Sequence, residues 1–261
     1  MRISLVSLNQ IWEDKEKNLT LIEEHFKFSS QQNVDLIIFP EMTFTGFSMN
    51  VKKILENKSG FFPLDEISKL SKKYGIGTIF GDVVKSNDEV FNASYFISKT
   101  GNEIGKYFKI HLFSYAKENK FFKSGRSLCQ TNFMNFKIGL SICYDLRFPE
   151  LYSSLSKDSD IIVNIANWPK ERINHWKTLL KARAIENQVF IIGVNRTGTD
   201  GNSIQYTKSS YIVDPDGNFI KPVLSNKSSK VFEIHRNDLI SFRKKFSPKK
   251  DRLPMFYKEI L

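Results

Sequence analysis

Short apolar runs alternate with helix-forming segments along most of this chain, and this alternation restricts its fold more than any other feature. The runs are rich in Val, Ile and Phe, as expected of buried strands, and the segments between them carry apolar residues at helical spacing. Strands that alternate with helices favour an α/β architecture. We predict strands at 3–8, 35–39, 76–84, 90–97, 138–143, 161–165, 189–194, 209–213 and 231–234, and helices at 18–32, 64–73, 148–155 and 175–188.

The whole chain, residues 1–261, is expected to form a single domain. No internal repeat, low-complexity tract or Pro/Gly/Ser-rich linker divides it, and 41% hydrophobic residues provide a sizeable core. A basic C-terminal tail begins at about residue 236 and contains the densest basic block, RKKFSPKKDR at 243–252. We expect this tail to wrap on the surface or on a partner subunit.

The formal net charge of +11 raises the question of a nucleic-acid partner. The lysines are spread along the whole sequence, and no zinc-finger spacing, RNP motif or basic amphipathic helix accompanies the basic tail, so no nucleic-acid partner is expected. The N-terminal apolar stretch is too short for a signal peptide, and no run reaches the length of a membrane span. Because two cysteines do not make a disulfide framework, a reducing cytoplasm is the expected compartment.

The motifs predict neither a cofactor nor a metal. The glycines of YGIGTIFG at 74–81 do not match the spacing of a dinucleotide-binding loop, and no phosphate-binding loop is present. The four histidines, at 25, 111, 175 and 235, stand far apart without the paired spacing of zinc ligands.

Three segments share one design, in which an apolar strand ends at a single reactive group. DLIIFPE ends at Glu41, GKYFKIHLF contains Lys109, and KIGLSICYD contains Cys143. Ligands of α/β sheets bind at strand ends and in the loops that follow them. A free thiol is mostly protonated at neutral pH, and a nearby cation or base activates it. A Lys ammonium and a Glu carboxylate beside Cys143 would supply both.

Other interpretations of these residues stay open at this point. Taken singly, a cysteine on an apolar strand is more often inert packing than a nucleophile. A Cys–His hydrolase is also possible, with His111 or His175 as the base. A third alternative is a non-catalytic basic interaction protein on the same fold, which would bind nucleic acid in a salt-dependent way.

Several segments together carry a family resemblance. FPEMTFTGF, GKYFKIHLF and GLSICYDLRFPE resemble the three signature segments of the nitrilase superfamily, the carbon-nitrogen hydrolases, in the same order and at similar distances. The resemblance continues through ANWP at 166–169, HWKTLLKARAIENQ at 175–188 and GVNRTGTDGN at 193–202. It implies a four-layer α-β-β-α sandwich, a homodimer or larger assembly, and hydrolysis without a cofactor.

The same resemblance implies a role for individual residues. It carries a catalytic Glu-Lys-Cys triad over to Glu41, Lys109 and Cys143. It adds Glu118 as a second glutamate that orients the lysine, and the backbone N–H of Tyr144 as an oxyanion donor. The implied reaction passes through a thioester intermediate.

The residues around the motifs narrow the substrate. Cys-Tyr-Asp at 143–145 is similar to the amidase branches rather than the nitrile-hydrolysing ones, and the neighbouring segments look most like the omega-amidases. That resemblance implies the monoamide of a dicarboxylic acid, such as 2-oxoglutaramate or succinamate. Arg172 or Lys170 is predicted to bind its distal carboxylate, with walls formed by Phe44, Phe47 and Trp168. The alternatives are an N-carbamoyl amine amidohydrolase, a deaminated glutathione amidase and a nitrilase.

The remaining matched residues are predicted to be structural. Arg147, Arg183 and Glu186 are expected to form internal salt bridges that brace the turn after Cys143. Asn167 and Asn195 are expected to fix loops around the site through side-chain to backbone hydrogen bonds. The loops 43–50 and 57–65 are expected to border it.

Overall fold

A computed structural model describes residues 1–56 and 60–260, and its elements follow the predicted alternation. The helices are α1 (Lys15–Gln31), α2 (Val51–Leu55), α3 (Pro63–Tyr74), α4 (Pro149–Leu155), α5 (Ile173–Asn187), α6 (Arg236–Lys245) and α7 (Pro254–Ile260). The strands are β1 (Arg2–Val6), β2 (Leu36–Ile38), β3 (Gly77–Ser86), β4 (Glu89–Ile97), β5 (Glu103–Phe108), β6 (Gln130–Phe133), β7 (Phe136–Ile142), β8 (Ile161–Ala166), β9 (Phe190–Asn195), β10 (Gly198–Thr199), β11 (Gln205–Tyr206), β12 (Tyr211–Val213), β13 (Leu224–Ser225) and β14 (Ser229–Glu233).

Two mixed sheets contain most of these strands. The first has the order β13-β14-β1-β2-β3-β4-β5, with β2 parallel to β1 and β3. The second has the order β12-β9-β8-β7-β6, with β8 parallel to β7 and β9. Strands β10 and β11 pair separately as a short hairpin. In each sheet, helical crossovers join the parallel strands, as parallel pairing requires.

The strand residues alternate between two cores, which defines the layers. Ile3 and Leu5 of the first sheet share a buried cluster with Ile138 and Leu140 of the second, so the sheets pack face to face. The opposite face of the first sheet packs on α1 and α3, and that of the second packs on α4 and α5. The predicted α/β fold, a four-layer α-β-β-α sandwich, is therefore confirmed.

The outer helices are defined by local signals in the sequence. Helix α1 begins after Asp14, whose side chain accepts the Lys17 N–H at 3.1 Å. Helix α3 begins with Pro63 and ends before Gly75, which has φ +65°. Ile67 and Leu70 form a buried apolar stripe on α3, and this stripe packs on the first sheet.

Every predicted strand and helix has a counterpart, with ends shifted by a few residues. The differences lie in polar segments. Strand β6 has the sequence QTNF and was not predicted, because polar residues at a sheet edge lack the apolar signal of a buried strand. None of the described helices combines the length and hydropathy needed to cross a membrane.

The C-terminal tail contains two helices that were not predicted, α6 and α7. Leu239 of α6 is fully buried, and Arg243 reaches the Asp160 carboxylate at 3.2 Å. The tail was predicted to wrap on the surface or on a partner subunit. In the structure it packs on the surface of its own subunit.

Candidate active site

The three reactive side chains come from both sheets and lie near one another at one end of the sandwich. Glu41 follows β2 by three residues, and Lys109 directly follows β5. Cys143 begins a 3-10 turn, Cys143–Arg147, directly after β7. Its backbone has φ +45°, a left-handed conformation that is uncommon for a residue other than glycine. Such backbone conformations concentrate at functional sites.

Lys109 lies between two carboxylates. Its Nζ donates to Oε1 of Glu41 at 2.8 Å, and to Oε1 and Oε2 of Glu118 at 3.0 and 2.9 Å. All three side chains are inaccessible to solvent. The predicted residues Glu41, Lys109 and Glu118 therefore form one buried charged cluster.

Two asparagines and one backbone N–H add hydrogen bonds to this cluster; the backbone donor is Phe113, whose N–H donates to Oε2 of Glu118 at 2.6 Å. The Asn92 amide donates to Glu41 at 2.7 Å and to Glu118 at 2.9 Å. The backbone N–H of Asn167 donates to Oε2 of Glu41 at 2.9 Å, and its side chain donates to the Glu41 carbonyl at 2.7 Å. The predicted loop-fixing role of Asn167 is thus seen in the structure. Asn92 was missed, although a polar residue inside the apolar strand β4 was a signal.

The charges of the cluster shift the pKa values of its members. Burial by itself lowers the pKa of Lys109, but the carboxylates of Glu118 and Glu41 outweigh it and hold the pKa above its usual value. Burial raises the pKa of Glu118 against the attraction of Lys109. Burial and the Glu41 carboxylate raise the pKa of the Cys143 thiol well above its usual value, against the attraction of Lys109. Both influences favour the neutral thiol over the thiolate.

A cavity of about 280 Å³ opens onto Cys143. Its walls are mostly aromatic and apolar, with two arginines among them, and a loop before β11 closes one side. The half-buried Cys143 thus faces a space large enough for a small organic substrate. The lining residues are Phe47, Met49, Phe113, Tyr115, Ala116, Cys143, Tyr144, Arg147, Asn167, Trp168, Pro169, Arg172, Asp200, Asn202, Ile204 and Tyr206.

The predicted substrate-contacting residues divide into two groups. Phe47, Trp168 and Arg172 line the cavity. Phe44 does not line it, so its predicted role as a wall is corrected. The ring of Phe44 is fully buried in the core between the first sheet and its helices, 6.1 Å from the ring of Phe80.

Lys170 also lies outside the cavity, with its side chain exposed. Its neighbour Pro169 and the next cation, Arg172, both line the cavity. Of the two cations predicted to bind a distal carboxylate, Arg172 lines the cavity and Lys170 does not. Of the loop at 57–65, residues 57–59 lie outside the described part of the chain.

The arginine of the nucleophile turn behaves differently from the prediction. Arg147 forms no ion pair within the described residues; its guanidinium carbon lies 4.9 Å from the centre of the Trp168 ring, in the cavity wall. The prediction that Arg147 forms an internal salt bridge is therefore wrong for the described residues. Arg183 does brace the turn: it pairs with Glu186 at 3.0 Å and donates to the Leu146 carbonyl at 3.0 Å.

Asp145 holds the turn that presents Cys143, a role that was not predicted. Its carboxylate accepts the N–H of Ile142 at 2.9 Å, the Tyr107 hydroxyl at 2.8 Å and the N–H of His111 at 3.0 Å. Nδ1 of His111 also lies 2.8 Å from Asp145. His111 is therefore directed at Asp145 rather than at the cavity, and it does not line the cavity.

His175 and Asn195, also named in the predictions, lie in different environments, the first exposed and the second fully buried. His175 is exposed and contacts Arg147, with 3.3 Å between Nδ1 and Nη2. Asn195 fixes the loop of Trp168: it accepts the Trp168 N–H at 2.7 Å and donates to the Trp168 carbonyl at 2.9 Å. The described residues contain no group of three or more His, Cys, Asp or Glu side chains arranged to hold a metal ion.

Comparison with known proteins gives consistent matches. The carbon-nitrogen hydrolase family model matches residues 2–244. The Staphylococcus aureus protein named "Hydrolase in agr operon" is 32% identical over 242 residues, 91% of either chain. Omega-amidase YafV of Yersinia enterocolitica is 31% identical over 252 residues, 94% of either chain.

Among solved structures, XC1258 from Xanthomonas campestris matches with a TM-score of 0.88 at 30% identity. The match covers 97% of both chains. That protein is described as a CN-hydrolase superfamily protein with an arsenic adduct in its active site. The similarity thus extends over nearly the full length of each protein compared.

Proposed function

The chain belongs to the carbon-nitrogen hydrolase family and is a hydrolase of carbon-nitrogen bonds other than peptide bonds; we propose that it is an omega-amidase. In this proposal the enzyme releases ammonia from the monoamide of a dicarboxylic acid, of the 2-oxoglutaramate or succinamate type. The likeness to omega-amidase YafV of Yersinia enterocolitica supports the reaction class.

One observation carries the proposal: the Cys143 thiol lies in the wall of a cavity and is near enough to the buried Glu41–Lys109 pair to interact with both charges. The electrostatic influence of Glu41 and Lys109 on Cys143 follows from this proximity. Two cavity arginines, Arg147 and Arg172, have no carboxylate partner within the described residues. The single carboxylate of a monoamide substrate would give them an ion-pair partner.

In the first step, Glu41 acts as general base. The thiol is protonated at rest, so its proton must move to a nearby acceptor as the sulfur attacks. The Glu41 carboxylate takes this proton, and Sγ of Cys143 forms a bond to the amide carbon. The Lys109 ammonium stays charged, because the carboxylates of Glu41 and Glu118 hold its pKa high despite burial.

The amide oxygen then becomes an oxyanion. In the proposed mechanism the Lys109 ammonium and the backbone N–H of Tyr144 donate to it, and removal of one such donor costs about 3 kcal/mol of barrier. Tyr144 follows the nucleophile in the same 3-10 turn, which Asp145 holds in place. The positive φ of Cys143 is part of the geometry of this turn.

Collapse of the intermediate completes the reaction. The protonated Glu41 transfers its proton to the leaving nitrogen, the carbon-nitrogen bond breaks, ammonia departs, and an acyl thioester on Cys143 remains. Water then attacks the thioester as Glu41 takes one of its protons. The carboxylic acid product leaves, and the proton on Glu41 returns to sulfur. The sum is amide plus water giving carboxylic acid plus ammonia.

Ammonia release from a substrate panel tests the proposal. The panel contains 2-oxoglutaramate, succinamate, glutamine, an N-carbamoyl amine, butyramide and butyronitrile. We expect the highest kcat/KM on the two carboxylate-bearing monoamides, and a loss of at least roughly 10³-fold in Cys143→Ala. Cys129→Ala is the matched control, because Cys129 lies in the core between the sheets and should leave turnover unchanged.

Two results would reject the proposal. Preference for the nitrile or the N-carbamoyl amine would assign the enzyme to another branch of the family. Full turnover in Cys143→Ala would show that Cys143 is not the nucleophile.

The assembly and compartment are also proposals. We propose a homodimer or a larger homo-oligomer in the cytoplasm, supported by the family resemblance and by two cysteines that form no disulfide. Analytical ultracentrifugation at several protein concentrations tests the assembly, and a monomer throughout would contradict it.

A further inference from the structure

Asn92 lies at the centre of the buried charged cluster, in the middle of strand β4. Its side chain is inaccessible to solvent. Its Nδ2 donates to Oε1 of Glu41 at 2.7 Å and to Oε1 of Glu118 at 2.9 Å. Its backbone carbonyl accepts the N–H of Lys109 at 2.9 Å. A single residue therefore contacts all three charged residues of the cluster.

The charges of this cluster do not balance. Two carboxylates surround one ammonium, so with all three ionised the cluster carries one excess negative charge away from solvent. Burial of an unbalanced charge favours protonation of one carboxyl group. If Glu41 held that proton, it could not accept another from Cys143. Hydrogen-bond donors oppose this protonation, and Asn92 gives one donor hydrogen to each carboxylate.

The orientation of the Asn92 amide follows from its partners. Both hydrogens of Nδ2 point at carboxylates, whereas Oδ1 has no hydrogen-bond partner in the described part of the chain. The opposite orientation would aim the carbonyl oxygen at two carboxylate oxygens, which is repulsive. A buried oxygen without a partner is unfavourable, so an apolar residue would serve better if position 92 only filled space. The amide is explained by its donation to two anions.

We propose that Asn92 is a positioning residue that keeps Glu41 and Glu118 ionised together around Lys109, so that Glu41 can accept the Cys143 proton at neutral pH. This inference rests on the proposed function, in which Glu41 is the general base. Asn92 does not line the cavity and acts on the substrate only through its two carboxylate partners.

The other titratable groups around the cluster are few within the described residues. Lys109 faces both carboxylates from the end of β5, and Cys143 faces them from the turn after β7. Tyr206 faces the thiol from β11. His111 is directed at Asp145 instead. A change in the acidic limb of the pH profile after substitution of Asn92 therefore reports on the two carboxylates.

The test measures two pH profiles for wild type, Asn92→Ala and Asn92→Leu. The first is kcat/KM for succinamate. The second is the rate of Cys143 alkylation by chloroacetamide, followed by intact mass in a Cys129→Ala background, and it requires no turnover. Asn92→Leu keeps a side chain of similar size, removes both donor hydrogens and adds no titratable group. Thermal unfolding of each variant confirms that the measured protein is folded.

We expect both substitutions to move the acidic limb of both profiles to higher pH by about one unit, because a carboxylate that loses a donor binds protons more readily. At pH 7, kcat should fall by about tenfold or more while KM changes by less than about threefold, since the substrate site is untouched. The shift should appear in Asn92→Leu even if Asn92→Ala folds poorly.

Asn164 provides a matched control. It is also a fully buried strand asparagine, on β8, and its Oδ1 also has no partner among the described residues. Its Nδ2 donates to two hydroxyl oxygens, of Ser141 at 3.1 Å and Tyr152 at 3.0 Å, and not to carboxylates. Asn164→Ala should therefore change stability without moving either acidic limb.

An unshifted acidic limb in the folded Asn92 variants would overturn the inference, even if their activity fell, because the role of Asn92 would then be structural only. Failure of the proposed function would look different. Wild type would release no ammonia from any amide, while its alkylation profile would still carry the limb that depends on Asn92.

Discussion

At the scale of single residues, two cavity arginines differ in how they are held. The Arg147 guanidinium lies 4.9 Å from the Trp168 ring centre and contacts His175 at 3.3 Å. That of Arg172 lies 5.7 Å from the Phe113 ring centre. An arginine that lies over an aromatic ring keeps donor N–H groups at its edge, and that fork suits a carboxylate. Both arginines are therefore candidates for the distal carboxylate of the substrate.

Replacement of each arginine by leucine tests this role. We expect Arg147→Leu and Arg172→Leu each to raise KM for succinamate by about tenfold. This factor corresponds to the binding free energy lost with one charge-assisted hydrogen bond. KM for butyramide, which has no carboxylate, should change little. Lys170→Leu removes one charge from the same loop outside the cavity and is the control. Equal effects on both amides would show that the arginines shape the cavity without recognising the carboxylate.

At the scale of elements, the position of Glu41 depends on close approach between β3 and the segment that follows β2. This segment continues the pairing beyond β2: Gly81 donates to the Pro40 carbonyl at 3.3 Å, and Thr43 donates to the Gly81 carbonyl at 2.9 Å. A Cβ at position 81 would lie 2.4 Å from the backbone nitrogen of Met42 and 2.8 Å from Cα of Glu41. Only glycine allows this approach.

Gly81→Ala should therefore displace Glu41 itself. We expect kcat/KM to fall by about 10²-fold, as for a displacement of about 1 Å in a catalytic group. Unfolding in urea should show a loss of about 1–3 kcal/mol from overpacking. Gly105→Ala in β5 is the control, because its Cβ would meet the Cys129 sulfur at 3.1 Å and no atom of the segment that contains Glu41. Near-normal kcat/KM in Gly81→Ala would show that the segment adjusts without moving Glu41.

At the scale of the whole molecule, one aspartate holds two arginines of the C-terminal segment against the second sheet. Asp160 lies just before β8, and its side chain is 7% exposed. It pairs with Arg236 at 2.9 Å and with Arg243 at 3.2 Å. Further along, Lys249 donates to the Ser156 carbonyl at 2.6 Å. Basic residues of the predicted C-terminal tail thus contact the body of the subunit.

Asp160→Asn should lower the free energy of unfolding by about 1–3 kcal/mol, because it leaves two arginines without their carboxylate partner. Urea denaturation measures the change, and the amidase activity of the folded protein should remain, since Asp160 is not in the cavity wall. Asp158→Asn is the control: its carboxylate is 65% exposed and 3.9 Å from Lys137, so the change should stay within about 0.5 kcal/mol. Equal stability of the two variants would contradict the attachment.

The order of the strands and helices and the identity of the reactive residues were determined by the sequence itself. Apolar runs such as IIVNIA can lower their free energy only by burial in a sheet, so their alternation with helices already implies the layers. A thiol, an ammonium and a carboxylate each at the end of such a run predicted a common site, because ligands of α/β sheets bind at strand ends and in the loops that follow them. Glu41, Lys109 and Cys143 could therefore be predicted together.

Only the tertiary structure decided which side of a loop each neighbouring side chain faces. Phe44 and Phe47 are three residues apart in one loop, yet the first packs in the core and the second lines the cavity. Arg147 lies over Trp168 where an internal salt bridge was predicted, and Asn92 became significant only because β4 places it between two carboxylates. Loop direction depends on packing between segments distant in the chain, and no local periodicity records that packing.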